Sequence, residues 1–328
     1  HPVPSHPAAC RTNPIRRNTT VTPMNSTFRH RTRAALPGLR PAQIIPAILG
    51  LISLLLLSGA ALAGGPAMVP SADGTAISYE SSGSGAPALV FVHGWSCDAR
   101  YFKAQVPVFS RKHQVVTLDL AGHGHSGMTR KDHTMDAFGQ DVKAVVAEAV
   151  QGKIILIGHS MGGVVIAKAA RLMPEKVLGL IGIDTLQNVE YPLTREALEG
   201  MTAPLKADFP GGCREFVKPM LVPATDPALR EWILSDMAAA PPRVAVSAME
   251  NMLGLYLTGE TARIFEGLKV PVITVNADLW PVNAEANRRH MHAFKAVTLK
   301  GTDHFLMLGS PDRFNAALEK AIRETSRQ

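Results

Sequence analysis

The chain has 328 residues, 46% of them hydrophobic, with 34 Lys and Arg against 27 Asp and Glu. The whole formal excess of +7 sits in residues 1–63, which carry seven arginines and no Asp, Glu or Lys; the remainder is balanced at 27 against 27. The high overall charge therefore describes a leader, and a nucleic-acid-binding body is excluded on charge.

Within residues 1–63 a basic stretch precedes an apolar run, Ile44 to Leu57, and a small-residue end, Ala61-Leu62-Ala63. That layout predicts a cleaved secretory signal, with Met24 as the start and residues 1–23 as an upstream extension. The rival expectation is a membrane anchor over residues 44–63, approaching the roughly 20 residues that cross a bilayer. Pro46, Gly50, Ser53, Ser58 and Gly59 interrupt that run. We therefore expect a secreted or periplasmic protein with no stable membrane association, and no lipid anchor, because no cysteine stands at the cleavage point.

Residues 64–328 alternate short apolar runs with helical stretches, the signature of an α/β fold with a mostly parallel central sheet flanked by helices. Strands are expected over Gly74 to Glu80, Ala88 to Val92, Gln114 to Leu118, Ile154 to Ile157, Val177 to Ile183, Val270 to Val275 and Ala296 to Leu299. Helices are expected over Arg100 to Phe109, Met135 to Val150, Gly163 to Met173, Asn283 to Ala293 and Pro311 to Thr325. Between Ile183 and Val270 no strand signal occurs, and a structureless loop of that length is improbable in a compact domain. Residues of about 188–268 therefore read as an inserted helical cap. Its helices are expected over Thr194 to Met201, Gly212 to Met220, Pro227 to Met237, Pro242 to Gly254 and Thr258 to Phe265.

Gly158-His159-Ser160-Met161-Gly162 falls between an apolar strand and a helix. A serine on so cramped a turn presents an exposed hydroxyl, with glycines removing the side chains that would collide. The Met161 N–H and the helix dipole point toward any oxyanion formed there. A serine hydroxyl needs a base to take its proton and a carboxylate to orient that base. His304 follows the last strand, and Asp278 follows the strand before it, so both belong to the sheet edge that carries Ser160. Asp184, after the strand ending at Ile183, is the alternative acid. Asp303 reads as a solvated neighbour.

The order Ser160, Asp278, His304 resembles that of the α/β-hydrolase superfamily, in its serine esterase and lipase branch with a helical cap, over residues of about 70–325. His93-Gly94-Trp95 resembles the oxyanion loop of that family, and Asp119-Leu120-Ala121-Gly122-His123-Gly124-His125-Ser126 resembles its D-x-x-G-x-G-x-S turn. The resemblance implies that the Trp95 N–H joins that of Met161 in holding an oxyanion. At Asp278 the chain departs from the pattern, because Asn276-Ala277 stands where glycine is usual. His93 is expected to pack the loop, His159 to lie beside the serine, and His123 and His125 to serve the turn; no third ligand at a recognised spacing supports a metal there. Cys97 and Cys213 are read as two partly buried thiols, with a disulfide as the alternative. Trp95, Met161, Trp280 and the cap residues Met220, Trp232, Met249, Met252 and Tyr256 supply an apolar wall or the packing of the cap itself.

What the resemblance implies is hydrolysis of a carboxylic ester of a small or medium apolar substrate through an acyl-enzyme, with no cofactor and no metal. Lactone, thioester or amide hydrolysis, acyl transfer and cofactor-free perhydrolysis belong to the same fold, and a catalytically silent binding protein is the reading from a different class.

Overall fold

The computed structural model describes residues 66–327. Eight strands form one sheet in the order β1-β2-β4-β3-β5-β6-β7-β8: β1 (Ala67–Pro70), β2 (Ala76–Ser82), β3 (Ala88–Val92), β4 (Val115–Leu118), β5 (Ile154–His159), β6 (Val177–Ile183), β7 (Pro271–Ala277) and β8 (Ala293–Leu299). β1 and β2 pair antiparallel, β2 pairs antiparallel with β4, and every other pairing is parallel. Every residue of β3 and β5 is buried, as unbroken apolar runs require when helices cover both faces.

The helices Met135–Ala149, Gly162–Leu172, Ala284–His290 and Pro311–Thr325 flank the sheet. Between β6 and β7 lie five more, Arg195–Ala207, Phe209–Val217, Pro227–Ala238, Pro242–Leu257 and Glu260–Phe265, so the expected cap is helical. Two of their starts are marked locally: Thr194 accepts from the Ala197 N–H at 3.2 Å and Asp226 from the Leu229 N–H at 2.9 Å, N-caps of about 1 kcal/mol each.

Two expectations fail. β1 is absent from the expected strands, because four largely exposed residues carry no apolar alternation and exist as a strand only by pairing with β2. The expected helix over residues 100–109 is instead two short pieces, Ala99–Phe102 and Val106–Phe109. Pro107 has no N–H to continue a ladder begun before it, so the second turn starts afresh. The signal and anchor expectations lie outside the described residues; no helix among those described is long and apolar enough to cross a membrane.

The parallel strands deliver their carboxyl ends to a single edge. His93 follows β3, Asp119 follows β4, Ser160 follows β5, Asp184 follows β6, Asp278 follows β7, and the loop holding His304 follows β8.

Candidate active site

Ser160 sits at φ +52, a left-handed conformation that costs a non-glycine residue about 1–3 kcal/mol. The surroundings hold it there. Its N–H donates to the Ile183 carbonyl at 3.0 Å, and its own carbonyl accepts from the Thr185 hydroxyl at 2.7 Å. A Cβ on Gly158 would stand 2.3 Å from the Gly162 carbonyl oxygen, and one on Gly162 would stand 2.5 Å from that of Val92. The strand and helix thus meet at backbone contact, which only glycine permits.

The loop after β3 presses on the same serine: a Cβ on Gly94 would lie 3.1 Å from that of Ser160. Among the described residues neither the Trp95 N–H nor the Met161 N–H has a backbone acceptor. His93 holds this loop in place, donating from Nδ1 to the Gly94 carbonyl at 2.8 Å and accepting the Leu120 N–H on Nε2 at 2.9 Å. Full burial keeps that imidazole below its ordinary pKa, as the neutral tautomer these two bonds demand. The Trp95 indole donates to the Ala245 carbonyl at 2.7 Å, tying the loop to the cap.

His304 Nδ1 lies 2.5 Å from Asp184 Oδ2, so the carboxylate beside the histidine is Asp184 and not Asp278. Asp184 is buried, at 1% exposure, and its Oδ1 accepts the Ala277 N–H at 2.8 Å. Asp278 is exposed and accepts the Gly301 N–H at 2.8 Å. The correction has a cause in the departure noted at Asn276-Ala277. Those residues continue β7 to Ala277, and Asp278 stands beyond the end of the strand. The Asn276 side chain pairs with both backbone groups of Thr185, Oδ1 accepting the N–H at 3.3 Å and Nδ2 donating to the carbonyl at 3.2 Å. That pairing clamps the turn after β6, where Asp184 has φ +41, and its carboxylate faces His304.

The histidine is fixed on further sides. Its N–H donates to the Met220 carbonyl and its carbonyl accepts from His159 Nε2, each at 3.0 Å. Burial holds the His159 imidazole well below its ordinary pKa, so it is a neutral donor with its ring 4.7 Å from that of His304. Asp303 is not solvated, contrary to expectation: it is 3% exposed and accepts the Thr225 hydroxyl at 2.5 Å and the Phe305 N–H at 2.9 Å. Thr225 and Met220 both belong to the cap, so the cap anchors the histidine loop; sequence carried no signal of either contact. With Nδ1 engaged by Asp184, Nε2 is the nitrogen of His304 left for Ser160, and both residues line one cavity of about 90 Å³.

The cap closes that cavity with Phe216, Met220, Met237, Met249 and Met252. Trp232 is elsewhere, packed at a tilt against Tyr101 with ring centres 4.9 Å apart. Tyr256 and Trp280 line a neighbouring cavity. Cys97 and Cys213 are both unbridged and buried; burial pushes the Cys213 thiol up to about 12 and the Cys97 thiol well above its ordinary value. In the turn after β4, Asp119 accepts the N–H groups of Ala99 at 2.9 Å and His125 at 2.8 Å. His123 is held neutral by burial, its pKa down to about 3, and among the described residues no group of three or more His, Cys, Asp and Glu side chains is gathered as metal ligands.

The chain matches the alpha/beta hydrolase family over residues 89–317. It is similar to a non-heme haloperoxidase of Rhodococcus erythropolis, 36% identical over 210 residues, 61% of this chain and 72% of that protein. It is also similar to the dihydrolipoyllysine-residue acetyltransferase component of the acetoin cleaving system of Pseudomonas putida, 30% identical over 172 residues, 48% of this chain and 46% of that protein. The chain thus spans less than half the length of some curated relatives that it matches. Among solved structures it is similar in fold to a thermophilic esterase from Thermogutta terrifontis, with a TM-score of 0.69 at 23% identity over 80% of this chain and 99% of that one.

Proposed function

The chain belongs to the alpha/beta hydrolase family, and on that footing we propose that it is a serine hydrolase of carboxylic esters with Ser160 as nucleophile, His304 as base and Asp184 as its orienting acid. One observation carries the reading: the Asp184–His304 hydrogen bond of 2.5 Å leads to a histidine that shares a cavity with Ser160. His304 Nε2 takes the Ser160 proton as Oγ attacks the acyl carbon, and the N–H groups of Trp95 and Met161 receive the developing oxyanion. His304 then gives that proton to the departing alcohol. In the second half a water molecule gives up a proton to His304, attacks the acyl-enzyme, and the acid leaves as Ser160 recovers its proton.

Asp184 keeps Nδ1 protonated and stabilises the imidazolium that forms in each half-reaction. No step calls on a cofactor. Acyl transfer to peroxide in place of water is a second reading, favoured by the similarity to a haloperoxidase; peroxide-dependent peracid formation from the same acyl donor tests it. We further propose export, with residues 1–63 removed, on the strength of the basic and apolar layout of that segment; amino-terminal sequencing of exported protein checks this.

Labelling with a fluorophosphonate probe tests the central claim. Folded protein is expected to be modified at Ser160 alone, with the signal abolished in Ser160→Ala. A folded wild-type protein that neither reacts with the probe nor hydrolyses any member of an ester panel refutes the reading.

A further inference from the structure

Beside the catalytic cavity lies a second, far larger one, of about 540 Å³, bounded by Tyr191, Met201, Leu253, Tyr256, Trp280 and Val282. No charged residue lines it, and its polar side groups are the amides of Gln187, Asn188 and Asn283, the Tyr191 and Tyr256 hydroxyls and the Trp280 indole N–H. Two aromatic rings at its rim are open to solvent, Tyr191 at 53% and Trp280 at 39% exposure, an unusual placing for large apolar side chains. Trp280 also stands edge-to-face against His304, with ring centres 5.6 Å apart. One helix, Pro242–Leu257, walls both spaces: Met249 and Met252 face the small cavity, and Leu253 and Tyr256 the large one.

Resting on the esterase reading above, we infer that the two cavities divide the ester: the small one beside Ser160 takes a short acyl group, and the large one beyond His304 takes a bulky, uncharged, aryl-bearing alcohol. The assignment of sides follows from the proton. The departing alkoxide oxygen must lie within hydrogen-bond reach of His304 Nε2 to be protonated, so the alcohol leaves over the histidine; of the rings packed on that imidazole, His159 and Phe305 line the small cavity and Trp280 lines the large one. The acyl carbon stays bonded to Ser160, whose cavity is closed by methionines.

Size limits the acyl group. A cavity of about 150 Å³ is what accepts benzene, and the 90 Å³ here falls short of it. At roughly 30 Å³ for each water-sized portion, the space suits an acyl chain of about two to four carbons. The large cavity, about 540 Å³ against about 90 Å³ for the small, admits a fused ring.

A pair of isomeric esters tests the division, since reversing the ester bond exchanges the two sides while leaving composition and alkyl leaving-group chemistry alike. The substrates are 2-naphthylmethyl acetate and methyl 2-naphthylacetate, each assayed for kcat/KM with the full chain. The acetate is expected to be favoured by about tenfold or more, and Trp280→Ala to raise its KM more than it lowers kcat. Met252→Ala, which widens only the small cavity, is expected to shift the acyl preference of 2-naphthylmethyl esters from acetate toward hexanoate. Equal rates or the opposite preference, with Ser160 still labelled by fluorophosphonate, overturn the division and leave the esterase reading standing. Hydrolysis of neither ester, together with failure of labelling, overturns both.

Discussion

Replacing Asp184 by Asn separates the two candidate acids, because the structure dictates how the amide must sit. Asp184 Oδ1 accepts the Ala277 N–H and Oδ2 faces His304 Nδ1. An amide nitrogen cannot accept from Ala277, so in Asp184→Asn the amide oxygen keeps that bond and the NH₂ turns to the histidine. Nδ1 must then accept, the ring proton moves to Nε2, and His304 presents a donor to a serine that needs an acceptor. Trapping the wrong tautomer in a serine triad costs about 10⁴-fold in kcat, or roughly 5 kcal/mol of transition-state stabilisation. Stability should fall little, since shape and the Ala277 contact persist. In Asp278→Asn the amide oxygen still accepts from Gly301 on an exposed loop, so turnover should change by less than about threefold and stability by less than about 1 kcal/mol. The assay is kcat on a short-chain ester for both variants, with thermal melts to establish folding. A folded Asp184→Asn enzyme retaining a tenth or more of its turnover refutes the reasoning, as does a severe loss in Asp278→Asn.

Gly158→Ala places a Cβ 2.3 Å from one backbone oxygen and 2.9 Å from a backbone nitrogen, neither of which can swing aside; a loss of about 3 kcal/mol is expected, read as a Tm fall of roughly 6–12 °C. His290 bridges Glu190, which leads into the cap, and Glu266, which leads out of it, at 2.7 and 2.8 Å. Although partial burial opposes it, these two carboxylates raise the His290 pKa, and Arg289 shares Glu190 with it. A raised folded value means the stabilisation is present below the ordinary histidine pKa and is lost as pH rises through the folded value. The Tm deficit of His290→Gln should therefore be larger at about pH 5.5 than at about pH 9; an equal or reversed deficit contradicts the clamp. Thr225→Val leaves Asp303 with one donor fewer in a buried setting and should cost about 1–3 kcal/mol, while lowering activity through displacement of the His304 loop. Both thiols should resist a disulfide-exchange reagent in the native protein and react only on unfolding, with reductant leaving activity unchanged.

The features legible in the sequence are those whose physics is local. Gly158, Ser160 and Gly162 lie within five residues, and the collision that demands glycine at 158 is with the Gly162 backbone inside that span. The terminal helix begins at Pro311, where a missing N–H is no loss, and its expected limits are the observed ones. Apart from the helix broken at Pro107, whose cause is local, the errors are non-local. Choosing Asp278 over Asp184 means deciding between two strands, β6 and β7, that are neighbours in the sheet but have the whole cap between them in the chain. The deciding contact, Asn276 with Thr185, spans 91 residues. The burial of Asp303 turns on Thr225, 78 residues away, and β1 exists only through its partner. One local sign does point to Asp184 as the carboxylate beside His304. Asn276-Ala277 in place of glycine is consistent with β7 running on to Ala277, and Asp278 beyond it pairs with Gly301 while Asp184 pairs with His304. A departure from a family pattern at an acid position is thus a reason to move the acid to the adjacent strand end, because a serine–histidine pair without an orienting carboxylate loses about as much rate as one with the wrong tautomer.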